Sequence, residues 1–173
     1  MLYQSLFFVN GDYHAIPILC QTYSVSDDMK TYTFQIAPAL FSDGTSLTTT
    51  DVVASLNAAK AGTYYSGRFQ HIVSIYEENG SVVIQLDTPF ENLPILLDIP
   101  IVKASQVDSP EPLGTGPYMM DHSLSGRRLR RQAGWWCNNS ASVVVTASYI
   151  PLTEASSPSQ IRDQFEFEDL GLV

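Results

Sequence analysis

Phe41 to Leu56, Phe-Ser-Asp-Gly-Thr-Ser-Leu-Thr-Thr-Thr-Asp-Val-Val-Ala-Ser-Leu, constrains this chain more than any other stretch. Asp43-Gly44 is a turn dipeptide, because glycine accepts positive φ and an aspartate can bond its own backbone. The stretch therefore reads as the end of a strand, a tight turn and the start of a helix. Thr48, Thr49 or Thr50 can each accept a bond from an orphan N–H of the first helical turn. Asp51 puts a carboxylate at the positive end of the helix dipole, and Thr48-x-x-Asp51 fits the looser form of a capping box. Behind it Val52, Val53, Leu56 and Ala59 recur at helical spacing, so one face must dock on a core. Taken locally, this is a strand-turn-helix corner and no more.

The chain has 173 residues, enough for one domain with a proper core. Hydrophobic residues at 45% against 16% charged indicate a folded chain. Nineteen aromatic residues (nine Tyr, eight Phe, two Trp) exceed what a minimal core needs, which leaves some to face a ligand or partner. No run approaches the roughly 20 apolar residues of a membrane-spanning helix. Eighteen acidic and nine basic side chains give a net charge of −9, which opposes general nucleic-acid binding. Four basic residues gather in Arg127-Arg128-Leu129-Arg130-Arg131. They read as a solvated strand face, with a phosphate patch as the alternative. Cys20 and Cys137 lack any metal-ligand spacing; two unpaired thiols, at least one of them buried, are expected rather than a disulfide.

In chain order, Leu2, Leu6 and Val9 suit a helix face, and Asn10-Gly11 marks a turn. Ile16–Tyr23 and Thr31–Ile36 read as extended segments around the polar run Ser24–Lys30. Tyr32, Phe34 and Ile36 alternate with Thr31, Thr33 and Gln35, the period of a half-buried strand. A glycine-bounded aromatic loop follows the helix, Gly62-Thr63-Tyr64-Tyr65-Ser66-Gly67-Arg68. Asn79-Gly80 between two β-branched runs, Ile72–Tyr76 and Val82–Leu86, predicts a hairpin. Phe90–Leu97 suits a short helix and Ile99–Val102 a short strand. In Gly114-Thr115-Gly116-Pro117-Tyr118 two glycines allow close approach of a partner, and no Lys-Ser/Thr follows to make a phosphate loop. Met119–His122, Arg128–Gln132 and Val143–Tyr149 read as strands, and Ser156–Ser159 as the cap of a closing helix. The chain shows no internal repeat.

Taken together and in order, these pieces resemble the family 5 extracellular solute-binding proteins of ABC importers, the oligopeptide, dipeptide and nickel binders. Four blocks carry the resemblance. They are Leu2-Tyr3-Gln4-Ser5-Leu6 through Ile16-Pro17, Val25 to Phe34, the Phe41–Val52 corner, and Pro112-Leu113-Gly114-Thr115-Gly116-Pro117-Tyr118. Two departures stand out: Met29 where the family usually has Gly, and Gln132-Ala133-Gly134-Trp135-Trp136 in place of its "R-N-P-x-Y-W".

The resemblance implies an α/β fold of the type II periplasmic-binding-protein lobe, a mixed sheet with packed helices and antiparallel hairpins. It implies that residues 1–173 are a single partial domain, the first pass through lobe one, with 150–173 leading toward a second lobe. A two-lobed clamp would capture peptides or a similar small polar solute and hand it to an ABC permease in the membrane. Its setting would be extracellular, membrane-anchored as a lipoprotein or periplasmic, with signal and anchor outside this chain. A ligand-sensing domain of a regulator and a stand-alone interaction module are the alternatives. A lobe cut from its partner segments would leave an open sheet edge and favour a homodimer. No enzymatic constellation, cofactor or metal site is expected; His14, His71 and His122 are scattered. Tyr65 matches a position that lines the ligand pocket in some family members, with Tyr64 second and Arg68 a partner for a ligand carboxylate. Gly114, Thr115 and Gly116 would offer backbone N–H groups, or serve only as a turn. Trp135, beside Trp136, would line either the cleft or the core.

Overall fold

Tyr32 and Phe34, two residues apart on one strand, point to the same face and are almost fully buried. Around them a computed structural model describes residues 1–122, 127–137 and 147–152. The central sheet has four strands, β3 (Cys20–Val25), β4 (Thr31–Ile36), β5 (Ile72–Glu78) and β6 (Ser81–Leu86), in the order β3-β4-β6-β5. A two-stranded sheet pairs β1 (Phe7–Val9) with β2 (Ala15–Pro17). A third sheet runs β7 (Tyr118–Asp121), β8 (Arg128–Arg131), β9 (Tyr149–Pro151). Every pairing among the described strands is antiparallel, so the mixed sheet expected from the sequence takes the form of antiparallel ladders here. The α/β character comes from the helix α1 (Thr49–Ala61), which lays Val52 and Leu56 on the core with Val53 and Ala59 at its margin.

The predicted corner forms as its residues dictate. Thr48 caps α1 and Asp51 closes the capping box, its Oδ2 accepting from the Thr48 amide at 2.9 Å and the Thr48 hydroxyl at 2.6 Å. The second carboxylate oxygen of Asp51 accepts from the amide of Ala104 at 2.7 Å. One turn on, the Ser55 hydroxyl donates to the carbonyl of Val102 at 3.1 Å and accepts from its amide at 3.0 Å. Helix α1 is thereby tied to the segment that crosses behind it. The hairpin at Asn79-Gly80 also forms, with φ of 50° and 75° at the two turn residues, the left-handed pair that this turn demands.

Two expectations fail. The first nine residues do not make a helix face: Phe7–Val9 is a strand, and Gln4 bridges to Ile101. The Leu6 carbonyl accepts from the amides of Ile18 and Cys20, and these long-range bonds override the helical spacing of Leu2, Leu6 and Val9. The predicted helix over Phe90–Leu97 shrinks to α2 (Leu93–Leu96), with Pro94 in its first turn, and Ile99–Val102 supplies one bridge residue rather than a strand. Of the predicted strand Val143–Tyr149, Tyr149 begins β9, and residues 143–146 lie outside the described residues. The closing helix after Ser156 lies outside the described residues. Cys20 and Cys137 are free thiols, and burial pushes the Cys20 thiol up to about 11. Among the described residues strand β3 lies at an edge of the four-stranded sheet, exposed from Gln21 to Val25.

Asp51→Ala is expected to cost about 3 kcal/mol, since it removes the cap and strands the Ala104 amide as well. Thr48→Ala, which removes the cap alone, should cost about 1 kcal/mol. Urea denaturation of both variants checks this. Equal losses would show that the link from Asp51 to Ala104 carries no stability.

Candidate ligand-binding site

The aromatic loop predicted after α1 is short and stiffened by its own bonds. Gly62 ends the helix, its amide donating to the Ala58 carbonyl at 2.9 Å. A turn of 3-10 helix, Ser66–Phe69, follows at once and is anchored by the buried Phe69. Between these two fixed ends Tyr64 stands 87% exposed. Its ring meets Tyr65 edge to face, with centroids 4.7 Å apart and an 83° angle between planes. The Arg68 guanidinium lies 5.4 Å from the centroid of the half-buried Tyr65 ring and donates to the carbonyl of Asp98 at 3.0 Å. A cation over an aromatic face is held there without being neutralised.

Beside this cluster a groove of about 410 Å³ opens between α1 and the segment from Ile99 to Val107, with Ala58, Ala59, Ile99 and Pro100 among its walls. It is mainly apolar at its base, with the two tyrosines at one end. Its size lies within the range of small-ligand pockets. Three of the predicted residues thus come together: Tyr64, Tyr65 and Arg68. Sequence reasoning missed the Asp98 carbonyl that holds Arg68, and Pro100 in the opposite wall; neither carries a local signal.

The other predicted residues form a separate group. Gly114 and Gly116 press against the N-terminal segment. The Gly116 amide donates to the Leu2 carbonyl at 3.0 Å, and the Tyr118 amide to that of Met1 at 3.3 Å. A Cβ at Gly114 would stand 2.2 Å from the Leu2 oxygen, and one at Gly116 would stand 2.1 Å from the Met1 oxygen. Thr115 is fully buried, and its carbonyl accepts the indole N–H groups of Trp135 at 2.8 Å and Trp136 at 3.1 Å. Its own hydroxyl has no partner among the described residues. Trp135 is 5% exposed. In this group the glycines serve the close approach of two backbones, and Trp135 supports the loop from beneath.

Charges nearby are mostly paired. Asp43 of the corner accepts from Lys103 at 2.6 Å, and that bond together with one from Thr45 holds its carboxyl down at about 2. Glu111 pairs with Arg127 and, at 3.0 Å, with His122; the Arg127 bond comes first in holding its carboxyl below the usual range. His71 pairs with Asp87 at 3.1 Å. Among the described residues no three His, Cys, Asp or Glu side chains converge as a metal site.

Comparison with known proteins places this geometry. The model of the bacterial extracellular solute-binding proteins, family 5 Middle, matches residues 14–158. The glutathione-binding protein GsiB of Shigella boydii serotype 4 (strain Sb227) is 28% identical over 153 residues, covering 78% of this chain and 29% of GsiB. The structure of NikZ from Campylobacter jejuni in complex with Ni(L-His) superposes with a TM-score of 0.75 at 18% identity, over 98% of this chain and 37% of NikZ. That of the PBP AgaA from A. tumefacien R10 in complex with agropinic acid gives 0.67 at 27% identity, over 78% of this chain and 30% of AgaA. The architecture is therefore that of the type II periplasmic binding proteins. The chain spans about a third or less of the length of these relatives.

Gly116→Ala is expected to cost about 2 to 4 kcal/mol, because the Met1–Leu2 backbone leaves the new methyl no room. Gly67→Ala, where nothing lies within 4 Å, serves as the control and should change stability by less than about 1 kcal/mol. Thermal melting of the two variants decides it, and indistinguishable melting temperatures would remove the packing role given to Gly116.

Proposed function

The chain belongs to the bacterial extracellular solute-binding proteins of family 5, and on that premise we propose that it supplies part of lobe one of a two-lobed clamp. The clamp captures a peptide or a similar small polar solute outside the cytoplasmic membrane and delivers it to an ABC permease. Residues 1–173 form the first pass through that lobe, and the segment from 150 onward leads toward the second. Closure of the lobes over the ligand needs no covalent chemistry, only a hinge and surfaces that fit.

The observation that carries this reading is the Tyr64–Tyr65 pair lining an open, mainly apolar groove, with Arg68 packed on the Tyr65 ring just outside its wall. A large aromatic left 87% exposed loses burial energy in the isolated lobe, and a ligand or a closing lobe would restore it. Tyr65 is the stacking surface, Tyr64 moves onto the ligand as the clamp closes, and Arg68 pairs with a ligand carboxylate. Glutathione, named for the relative GsiB, has the peptide character and the carboxylates that such a lip would take. Gly114, Thr115, Gly116 and Trp135 act one step behind, by holding the N-terminal segment and the loop in register. The family's members work in the periplasm or outside the cell, and we place this protein there, by lipid anchor or as a free periplasmic component.

In the complete protein, Tyr65→Ala is expected to weaken binding about tenfold, the scale of a truncated aromatic contact. The melting temperature should move by less than about 3 °C. Isothermal titration with glutathione and with trialanine as probes reads the affinity. Unchanged affinity for a probe that the wild type binds would remove Tyr65 from the site.

A further inference from the structure

Four arginines lie in strand β8 and just before it, and they are not equivalent. Arg127 pairs with Glu111. Arg128 donates through Nε and Nη2 to Asp121 at 2.8 Å and lies 4.0 Å over the ring of Tyr149. Arg130 has no carboxylate among the described residues; its one side-chain bond is Nη2 to the thioether of Met119 at 3.2 Å. A thioether is a weak acceptor, so among the described residues the planar fork of Arg130 meets no strong acceptor.

That fork borders a cavity of about 330 Å³ between the Phe41–Gly44 corner and the turn that follows β8. Phe41, Met119 and Trp136 supply apolar wall. The Trp136 indole is fixed in place by its N–H, which donates to Gln4 Oε1 and to the Thr115 carbonyl, each at 3.1 Å. Ser42, also in the wall, has a hydroxyl that makes no hydrogen bond among the described residues. The cavity thus joins a guanidinium and a hydroxyl that meet no carboxylate and no hydrogen-bond partner, respectively, among the described residues, and a rigid aromatic wall. None of its lining residues borders the Tyr64–Tyr65 groove.

We propose that this cavity is a second binding site, for a small monocarboxylate carried on a flat apolar body. A guanidinium takes a carboxylate through two parallel bonds, and the Ser42 hydroxyl is a further donor beside it. The volume, at the lower end of ligand pockets, admits about one ring. A net charge of −9 disfavours more highly charged anions such as phosphate esters. The site is independent of the clamp function and does not rest on it.

Sodium benzoate is the probe, and benzamide, of the same shape without the charge, its comparison. Isothermal titration of the protein should show saturable benzoate binding, with benzamide about tenfold or more weaker. Arg130→Gln should weaken benzoate by a similar factor. Arg127→Gln makes the same change in net charge on a residue already paired, and should leave benzoate binding as it was. A benzoate-dependent shift of the Trp136 indole N–H resonance, absent in Trp136→Phe, places the ligand in this cavity. Benzamide binding as well as benzoate, equal effects of the two arginine variants, or no saturable binding at millimolar benzoate would each overturn the proposal.

Discussion

The carboxylate of Asp51 joins the start of α1 to the segment at Ala104, a link that the Ser55–Val102 bonds extend one turn further on. One oxygen closes the cap of α1 on Thr48, and the other takes the amide of Ala104, 53 residues away. Buried carboxylates are tolerated only when donors surround them, and here three donors converge on one side chain. Because α1 is fixed at this end, its far end delivers Gly62 and the tyrosine loop to a defined place beside Ile99 and Pro100. The candidate ligand lip is therefore positioned by an interaction that takes no part in binding.

A second constraint acts at the 114–116 loop. The glycines of the 114–116 loop let the backbone of Met1–Tyr3 run within hydrogen-bonding distance, which a side chain on either would prevent. Trp135 and Trp136 both spend their N–H on the Thr115 carbonyl, so the loop, the N-terminal segment and the turn after β8 form one unit. The loop that looks like a ligand-contacting motif in the sequence has most of its close approach used by the protein itself.

What was legible in the sequence was local. The Tyr32–Phe34 alternation, the Asn79-Gly80 turn and the Thr48-Asp51 cap each depend on residues within a few positions, and each forms as read. Met29, noted as a departure from Gly, adopts a φ of 55°, so a methionine occupies the left-handed position at a cost of about 1 to 2 kcal/mol. The misread elements depend on distant partners. Leu2, Leu6 and Val9 have helical spacing, yet Ile101, Ile18 and Cys20 recruit that segment into extended pairing. At the candidate site the tyrosines and Arg68 were visible through family resemblance. The Asp98 carbonyl that orients Arg68 was not, since only the fold brings it near. Nor does a run of four arginines reveal which ones meet carboxylates; Glu111 and Asp121 select among them only in three dimensions.

In the proposed clamp this lobe would offer aromatic surface and a cation, and an opposing lobe would supply the remaining contacts. Half of such a site binds weakly, because a ligand left half in water gives up little of its apolar surface. The most direct measurement is native mass spectrometry of the complete protein, purified without unfolding and then incubated with a mixture of short peptides. The expected result is a protein mass increased by a bound peptide or small polar solute, released on denaturation. A protein that emerges bare, and stays bare in the peptide mixture, would contradict it.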